Sequence, residues 1–272
     1  MRLKLSPDCV DTASMRTAGM FLLCLMASPT DNQIHGYRSQ PKPQATPGAT
    51  WRAAQRAVLK QKIRTGTLAM GLSLPAVSIE RLADYLALLN KWNRTYNLTA
   101  VRDPEQMVYR HVLDSLSVIP YLHGRRVLDI GTGAGLPGIP LAVACPEREF
   151  VLLDSNAKKI RFVTQAIATL QLPNAQAILG RAEKLETVEK FDTLISRALG
   201  GITDMLALSA HLCSPGGHFV AMKGVYPQEE LAALPPGYEV LAVEALQVPG
   251  LDGKRHAVII SAKASGLPEG KN

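Results

Sequence analysis

The chain has 272 residues, 47% hydrophobic and 19% charged, which suffices for a sizeable core in one or two domains. Its four cysteines, Cys9, Cys24, Cys145 and Cys213, are widely spaced without a C-x-x-C pair, which argues against a disulfide scaffold or zinc module, and no apolar run reaches the roughly 18 residues of a spanning helix. The net charge of +7 sits in the first quarter, where residues 1–76 hold ten Lys/Arg against three Asp/Glu and the rest hold twenty of each, so the basic balance is weak evidence that the main body binds nucleic acid.

Residues 1–50 differ from the remainder. The apolar stretch Met20 to Ala27 resembles a signal-peptide core, but Asp8 and Asp11 sit where such peptides rarely carry acid. The Pro-rich tract from Gln40 to Ala49 cannot form a core. The composition predicts an extension that does not fold, with a targeting or regulatory tail as the alternative. A basic helical pattern then runs from Trp51 to Arg64 and breaks between Gly71 and Pro75. The next helix runs from Ser78 to Trp92, with Ile79, Leu82, Leu86 and Leu89 as its apolar stripe and Ser78 as a candidate cap. Asp103-Pro104-Glu105 opens another helix with Pro at its first position, carrying Val108, His111, Val112 and Ser115 on one side.

The main fold alternates. β-rich runs appear at Arg126–Ile130, Phe150–Asp154, Ala175–Leu179, Phe191–Ser196, His218–Met222, Tyr238–Val243 and His256–Ala262. Helical patterns such as Ala157–Leu170 and Thr203–Leu212 separate the first five. Strands that are apolar throughout, alternating with helices, predict an α/β fold with a parallel sheet covered on both faces. The last two runs are joined by a turn-rich stretch and read as an antiparallel hairpin closing one sheet edge. This divides the chain into 1–50 (extension), 51–122 (helical N-terminal subdomain), 123–264 (a Rossmann-like domain) and 265–272 (tail).

The strongest chemical signal is the glycine-dense loop in VLDIGTGAGLPG, Val127 to Gly138. A strand ends, glycines let the backbone turn and approach a ligand, and Pro137 or Pro140 starts the next helix. Gly133, Gly135 and Gly138 also satisfy G-x-G-x-x-G, so a dinucleotide must be weighed. Asp129 separates the two ligands. A carboxylate two residues before Gly131 repels a pyrophosphate, whereas it favours the ammonium and sulfonium of S-adenosyl-L-methionine; its other reading is an acid that only bonds the loop. Asp154 ends the second strand and suits ribose hydroxyls of either cofactor, or a helix cap. Backbone groups of Ala182 and Glu183, after the third strand, are placed to read an adenine amine, Glu183 being otherwise a solvated helix-start acid.

For the methyl acceptor, the stretch after the fourth strand lacks the prolines and aromatic that clamp an exocyclic amine. Cys145 and Cys213, the latter late in a helix, are poorly placed as the nucleophile of a C5 methylation and read as small buried hydrophobes. Arg197 remains as a cation at the mouth of the site, or a salt-bridge partner. Direct transfer to guanine N7, which already has a free lone pair, suits this set without a general base. Lys223 is placed for a phosphate or a guanine oxygen edge, or snorkels at a strand end. Asn97, Arg110, His111, Asp114 and Ser115 lie in polar stretches with Tyr96 and Tyr109 interleaved and are candidates for an RNA groove, or for a solvated face with structural hydrogen bonds.

The ordered motifs KWNRTYNLT (Lys91–Thr99), RHVLDS (Arg110–Ser115), DIGTGAGLPGIP (Asp129–Pro140), LDS (Leu153–Ser155), ISRA (195–198), Lys223-Gly224 and VPGLDGKRH (Val248–His256) resemble the bacterial RsmG/GidB family, the 16S ribosomal RNA guanine-N7 methyltransferases. The resemblance spans residues 55–263. It implies that Gly131, Leu136, Asp154, Ser155, Asn156, Ala182, Glu183 and Arg197 contact S-adenosyl-L-methionine, with Gly133 and Gly135 in the same loop. It also implies a helical subdomain before a seven-stranded, mostly parallel class I methyltransferase sheet with one antiparallel edge strand. A cytoplasmic monomer acting on 16S ribosomal RNA or the small ribosomal subunit is expected, with no membrane partner and no metal. The readings from other classes are a dinucleotide-dependent oxidoreductase and a non-catalytic ribosome-binding module.

Overall fold

A computed structural model of the chain describes residues 47–197 and 200–263. The expected extension before residue 47, the tail at 265–272, Cys9, Cys24 and the last residue of the ISRA motif lie outside the described residues. Seven strands form one sheet: β1 (Arg126–Ile130), β2 (Glu149–Asp154), β3 (Ala175–Leu179), β4 (Phe191–Ser196), β5 (Cys213–Lys223), β6 (Tyr238–Ala245) and β7 (His256–Ala262). Their order is β3-β2-β1-β4-β5-β7-β6. β1 to β5 pair in parallel, and β7 is antiparallel to both neighbours. The hairpin closes the edge as expected, with the reversed strand on its inner side.

Alternation along the strands explains why both faces are covered. Val127, Phe150 and Leu152 belong to one apolar cluster, whereas Leu128, Val151 and Leu153 belong to the other, as a two-residue period requires. The first face carries α5 (Gly138–Ala144), α6 (Ala157–Leu170) and the N-terminal helices α1 (Pro47–Ala69) and α2 (Ala76–Tyr96). The second carries α7 (Ile202–Ser209). The predicted stripe Ile79, Leu82, Leu86 and Leu89 is buried, and Trp92 and Tyr85 of α2 meet Phe162 of α6 at ring-centroid distances of 5.7 and 6.3 Å. Among the described residues, no helix is long and apolar enough to cross a membrane.

Several expectations are corrected. Ser78 is not a cap: α2 begins at Ala76, so Ser78 lies inside it and donates to Val143 O across the interface at 3.2 Å. Only a 3₁₀ turn, Ala182–Lys184, lies between β3 and β4, because the connection is too short and polar to lay a helix on the sheet. Cys213 starts β5 rather than ending a helix. The patterns also missed the short α8 (Gln228–Ala232) and a π-helical stretch, Val108–Leu113, set between α3 (Pro104–Met107) and α4 (Asp114–Leu116). Such π turns recur where a helix presents functional side chains.

Candidate active site

β1 is the point at which the strand order reverses, with β2 on one side and β4 on the other. In open α/β sheets the crevice beyond the carboxyl ends of such strands takes the ligand. The glycine loop and Arg197 follow β1 and β4 at that end, where Asp154 and Lys223 are the last residues of β2 and β5.

The loop is built on two buried carboxylates. Asp129 is 0% exposed. Its Oδ2 accepts from Thr132 Oγ1 at 2.5 Å and from Gly138 N at 2.8 Å, while its Oδ1 is buried without a partner. Burial raises its pKa to about 6, against the lowering effect of those two bonds and of Arg197. The carboxylate thus bonds the loop with one oxygen and leaves the other buried and unpaired. Gly138 must be glycine, because a Cβ there lies 2.7 Å from Asp129 Oδ2. Gly133 adopts φ +61°, and the one atom near where a Cβ would lie is Gly131 O at 3.9 Å, which leaves room for a ligand against the backbone. Asp154, 7% exposed, accepts from Gly133 N at 2.9 Å and Asn156 N at 2.8 Å. The cap of α6 is Asn156, so Asp154 holds the loop rather than the helix. Tyr85, which sequence reasoning missed, reaches from α2 to donate to Ala134 O at 2.7 Å.

Ser155, Asn156 and Glu183 are exposed near these strand ends, whereas the side chains of Ala182 and Leu136 are buried. A buried, partnerless carboxylate oxygen, an acid at the end of β2 and an open glycine backbone form a donor set that fits the cationic and ribose ends of S-adenosyl-L-methionine.

Beside this crevice lies a cavity of about 350 Å³ lined by Arg110, His111, Asp114, Arg197, Lys223 and Arg255, with Val101, Met222 and Leu246 as apolar wall. It gathers the π-helical stretch and the ends of β4, β5 and β7. Asp114 lies between Arg197 Nη1 at 3.4 Å and Arg255 Nε at 3.1 Å. His111, 4% exposed, has Nε2 2.9 Å from Thr99 Oγ1 and an Nδ1 without a partner; burial and Arg197 lower its pKa to about 4. Lys223 donates to Glu230 at 2.7 Å and to Gly200 O at 3.1 Å. Arg255 and Glu230 were not anticipated. Arg255 lies within the VPGLDGKRH motif, but its partner is 141 residues away. Glu230 looks like any acid on a short helix.

Two predicted acceptor residues lie elsewhere. Ser115 is fully buried and donates to His111 O at 2.5 Å. Asn97 ends α2 in the left-handed region and accepts from Arg102 at 2.6 Å, while Asn93 ties Thr99 and Val101 into the same turn. The polar stretch 93–102 therefore serves structural hydrogen bonds. Cys145 and Cys213 are buried, with burial pushing their thiols up to about 11 and about 12, which keeps them from acting as nucleophiles.

A family model described as rRNA small subunit methyltransferase G matches residues 78–259. The chain is 48% identical over 204 residues to a ribosomal RNA small subunit methyltransferase G of Nitrosococcus oceani, covering 75% of this chain and 95% of that protein. It is 52% identical over 188 residues to the protein of the same name from Xanthomonas euvesicatoria, covering 69% and 89%. Among solved structures, an S-adenosylmethionine-dependent methyltransferase of Thiobacillus denitrificans in complex with S-adenosyl-L-homocysteine is similar, with a TM-score of 0.44 and 15% identity over 65% of this chain and 98% of that one.

Proposed function

The chain belongs to the family of ribosomal RNA small subunit methyltransferase G, and from that premise we propose that it methylates N7 of a guanosine in small-subunit RNA by direct transfer, with the acceptor base in the 350 Å³ cavity. It is an S-adenosyl-L-methionine-dependent ribosomal RNA methyltransferase; a dinucleotide-dependent oxidoreductase and a non-catalytic ribosome-binding module are set aside by family membership.

Asp129 and Asp154 would hold the cationic and ribose parts of the donor, and the turn at Ala182 and Glu183 its adenine. Bound there, the donor supplies a methyl group on a sulfonium; the bond to N7 forms as the bond to sulfur breaks, sulfur keeps the electron pair, and no proton leaves the base. The protein's task is alignment and exclusion of water. The observation that carries this reading is that, among the described residues, the two titratable groups beside Arg197 in the cavity are poor proton acceptors. His111, whose Nδ1 has no partner, is depressed to about 4 and is a weak base, both oxygens of Asp114 are held by arginines, and the second imidazole, His256, has its Nδ1 3.2 Å from Gly224 O.

The basic surface is smaller than the composition suggests. Arg56, Lys60 and Lys62 of α1 are paired with Glu80, Asp84 and Glu105. That leaves exposed cations such as Arg110, which lines the cavity, to meet RNA phosphates. A cytoplasmic monomer fits a reaction on ribosomal subunits. The test is incubation of the protein with labelled methyl donor and either small subunits or their naked RNA. Label recovered as 7-methylguanosine supports the reading, and label in another nucleoside, or none in either substrate, contradicts it.

A further inference from the structure

The acceptor cavity is lined by four cations, Arg110, Arg197, Lys223 and Arg255. Two carboxylates are set among them. Asp114 opens α4, and its side chain is 5% exposed between Arg197, which follows β4, and Arg255, which precedes β7. Glu230 holds Lys223 at the rim and also accepts from Ile202 N at 2.7 Å, the first amide of α7. A protonated His111 would add a fifth positive charge, but burial and Arg197 keep the ring neutral at physiological pH. The cavity therefore has many hydrogen-bond donors, and its two carboxylates offset half of its positive charge.

That balance matters for the proposed reaction, on which the inference rests. An N7 acceptor enters the cavity neutral and leaves it cationic, having released no proton. Unopposed arginines would resist this change, and in a partly desolvated cavity the resistance is larger than in water. We propose that Asp114 is the positioning residue of the acceptor cavity: one buried carboxylate that fixes Arg197 and Arg255 and offsets their charge, so that the base can become positive between them. A bridge that merely joined the helical segment to β7 would explain the two hydrogen bonds but not a selective effect on a cationic base.

The test compares the wild-type protein with Asp114→Asn and with Asp114→Asn/Arg255→Gln, which removes one anion and one cation together. Binding of guanosine 5′-monophosphate and 7-methylguanosine 5′-monophosphate is measured at about pH 6, where the methylated base keeps its positive charge. In D114N the affinity for the methylated nucleotide is expected to fall at least about fivefold relative to the unmethylated one. Its kcat on small subunits should fall about tenfold or more, with KM and the Kd for S-adenosyl-L-homocysteine within about threefold. The double variant should recover at least about threefold of that kcat, the coupling a double-mutant cycle isolates. An equal loss for both nucleotides, or a double variant slower than D114N, overturns the proposal, and where nucleotide binding is too weak to measure the two kcat comparisons decide. If D114N no longer binds S-adenosyl-L-homocysteine and so has not folded, Asp114→Glu alone decides. It keeps the negative charge, so the ratio of the two nucleotide affinities should stay within about twofold of wild type, and a fivefold fall in that ratio overturns the proposal. Should the wild-type protein form no 7-methylguanosine, it is the functional reading that fails.

Discussion

Replacing Asp129 by Asn separates the cost of the buried carboxylate from its use. The carboxyl titrates near 6 in the folded chain against an ordinary 3.8, a difference worth about 3 kcal/mol at neutral pH. Because the native pKa is the higher, this stability is fully present below about pH 4 and is lost as pH rises through 6. At pH 7 the wild-type protein therefore bears the full cost of the ionised group. Asn can still accept from Thr132 and Gly138 through one oxygen, but it leaves a buried amide where Oδ1 has no partner, at about 1–3 kcal/mol. The two effects nearly cancel, so D129N should be at least as stable as wild type at pH 7 and less stable at pH 4, as measured by denaturant titration. Affinity for S-adenosyl-L-methionine should nonetheless fall by about 1–3 kcal/mol, the range for losing a charged hydrogen-bond partner. Calorimetry across pH 5 to 8 should show the gap between the two proteins narrowing below pH 6, as the wild-type carboxylate takes up its proton. Equal affinities at pH 7, or a gap that does not change with pH, would show that the acid only holds the loop.

Tyr85→Phe removes the buried bond to Ala134 O; it should cost about 1–3 kcal/mol of stability and weaken donor binding, both readable by thermal shift with and without ligand. Gly138→Ala places a Cβ 2.7 Å from Asp129 Oδ2 and 2.8 Å from Leu152 Cδ2, so the loop must move. Stability should drop by about 1–3 kcal/mol, and calorimetry should show donor binding greatly weakened. Ser115→Ala should leave kcat and KM within about twofold and stability within about 1 kcal/mol, because His111 O also receives the Asp114 amide. A tenfold rise in KM for small subunits would return Ser115 to the acceptor site.

The parts of the fold that were legible are those set by local pattern. Apart from the start of β5, which lies five residues before the expected one, the strand ends fall within two residues of expectation, as in β1 and β2, which alternate between two apolar clusters, and Ala157–Leu170 is a helix bounded as its periodicity requires. At the crevice, the placement of Asp129, the glycines, Asp154 and Arg197 around the strand ends was legible because the strand pattern fixes it. What failed to show is long-range pairing. Asp114 reads in sequence as one polar residue in a helix; only the fold sets it between Arg197 and Arg255. Ser115 was misjudged for the same reason, since a helical motif does not say which polar residue faces the cavity and which bonds its own backbone. Tyr85 is one apolar-stripe neighbour among several until the glycine loop folds over it.

The function is decided by which atom of which nucleotide receives the methyl group. Mass mapping of small-subunit RNA from cells with and without the gene for this chain reads it directly. One 7-methylguanosine present with the gene and absent without it is the predicted result. An unchanged modification profile, or a loss at any atom other than guanine N7, would contradict it.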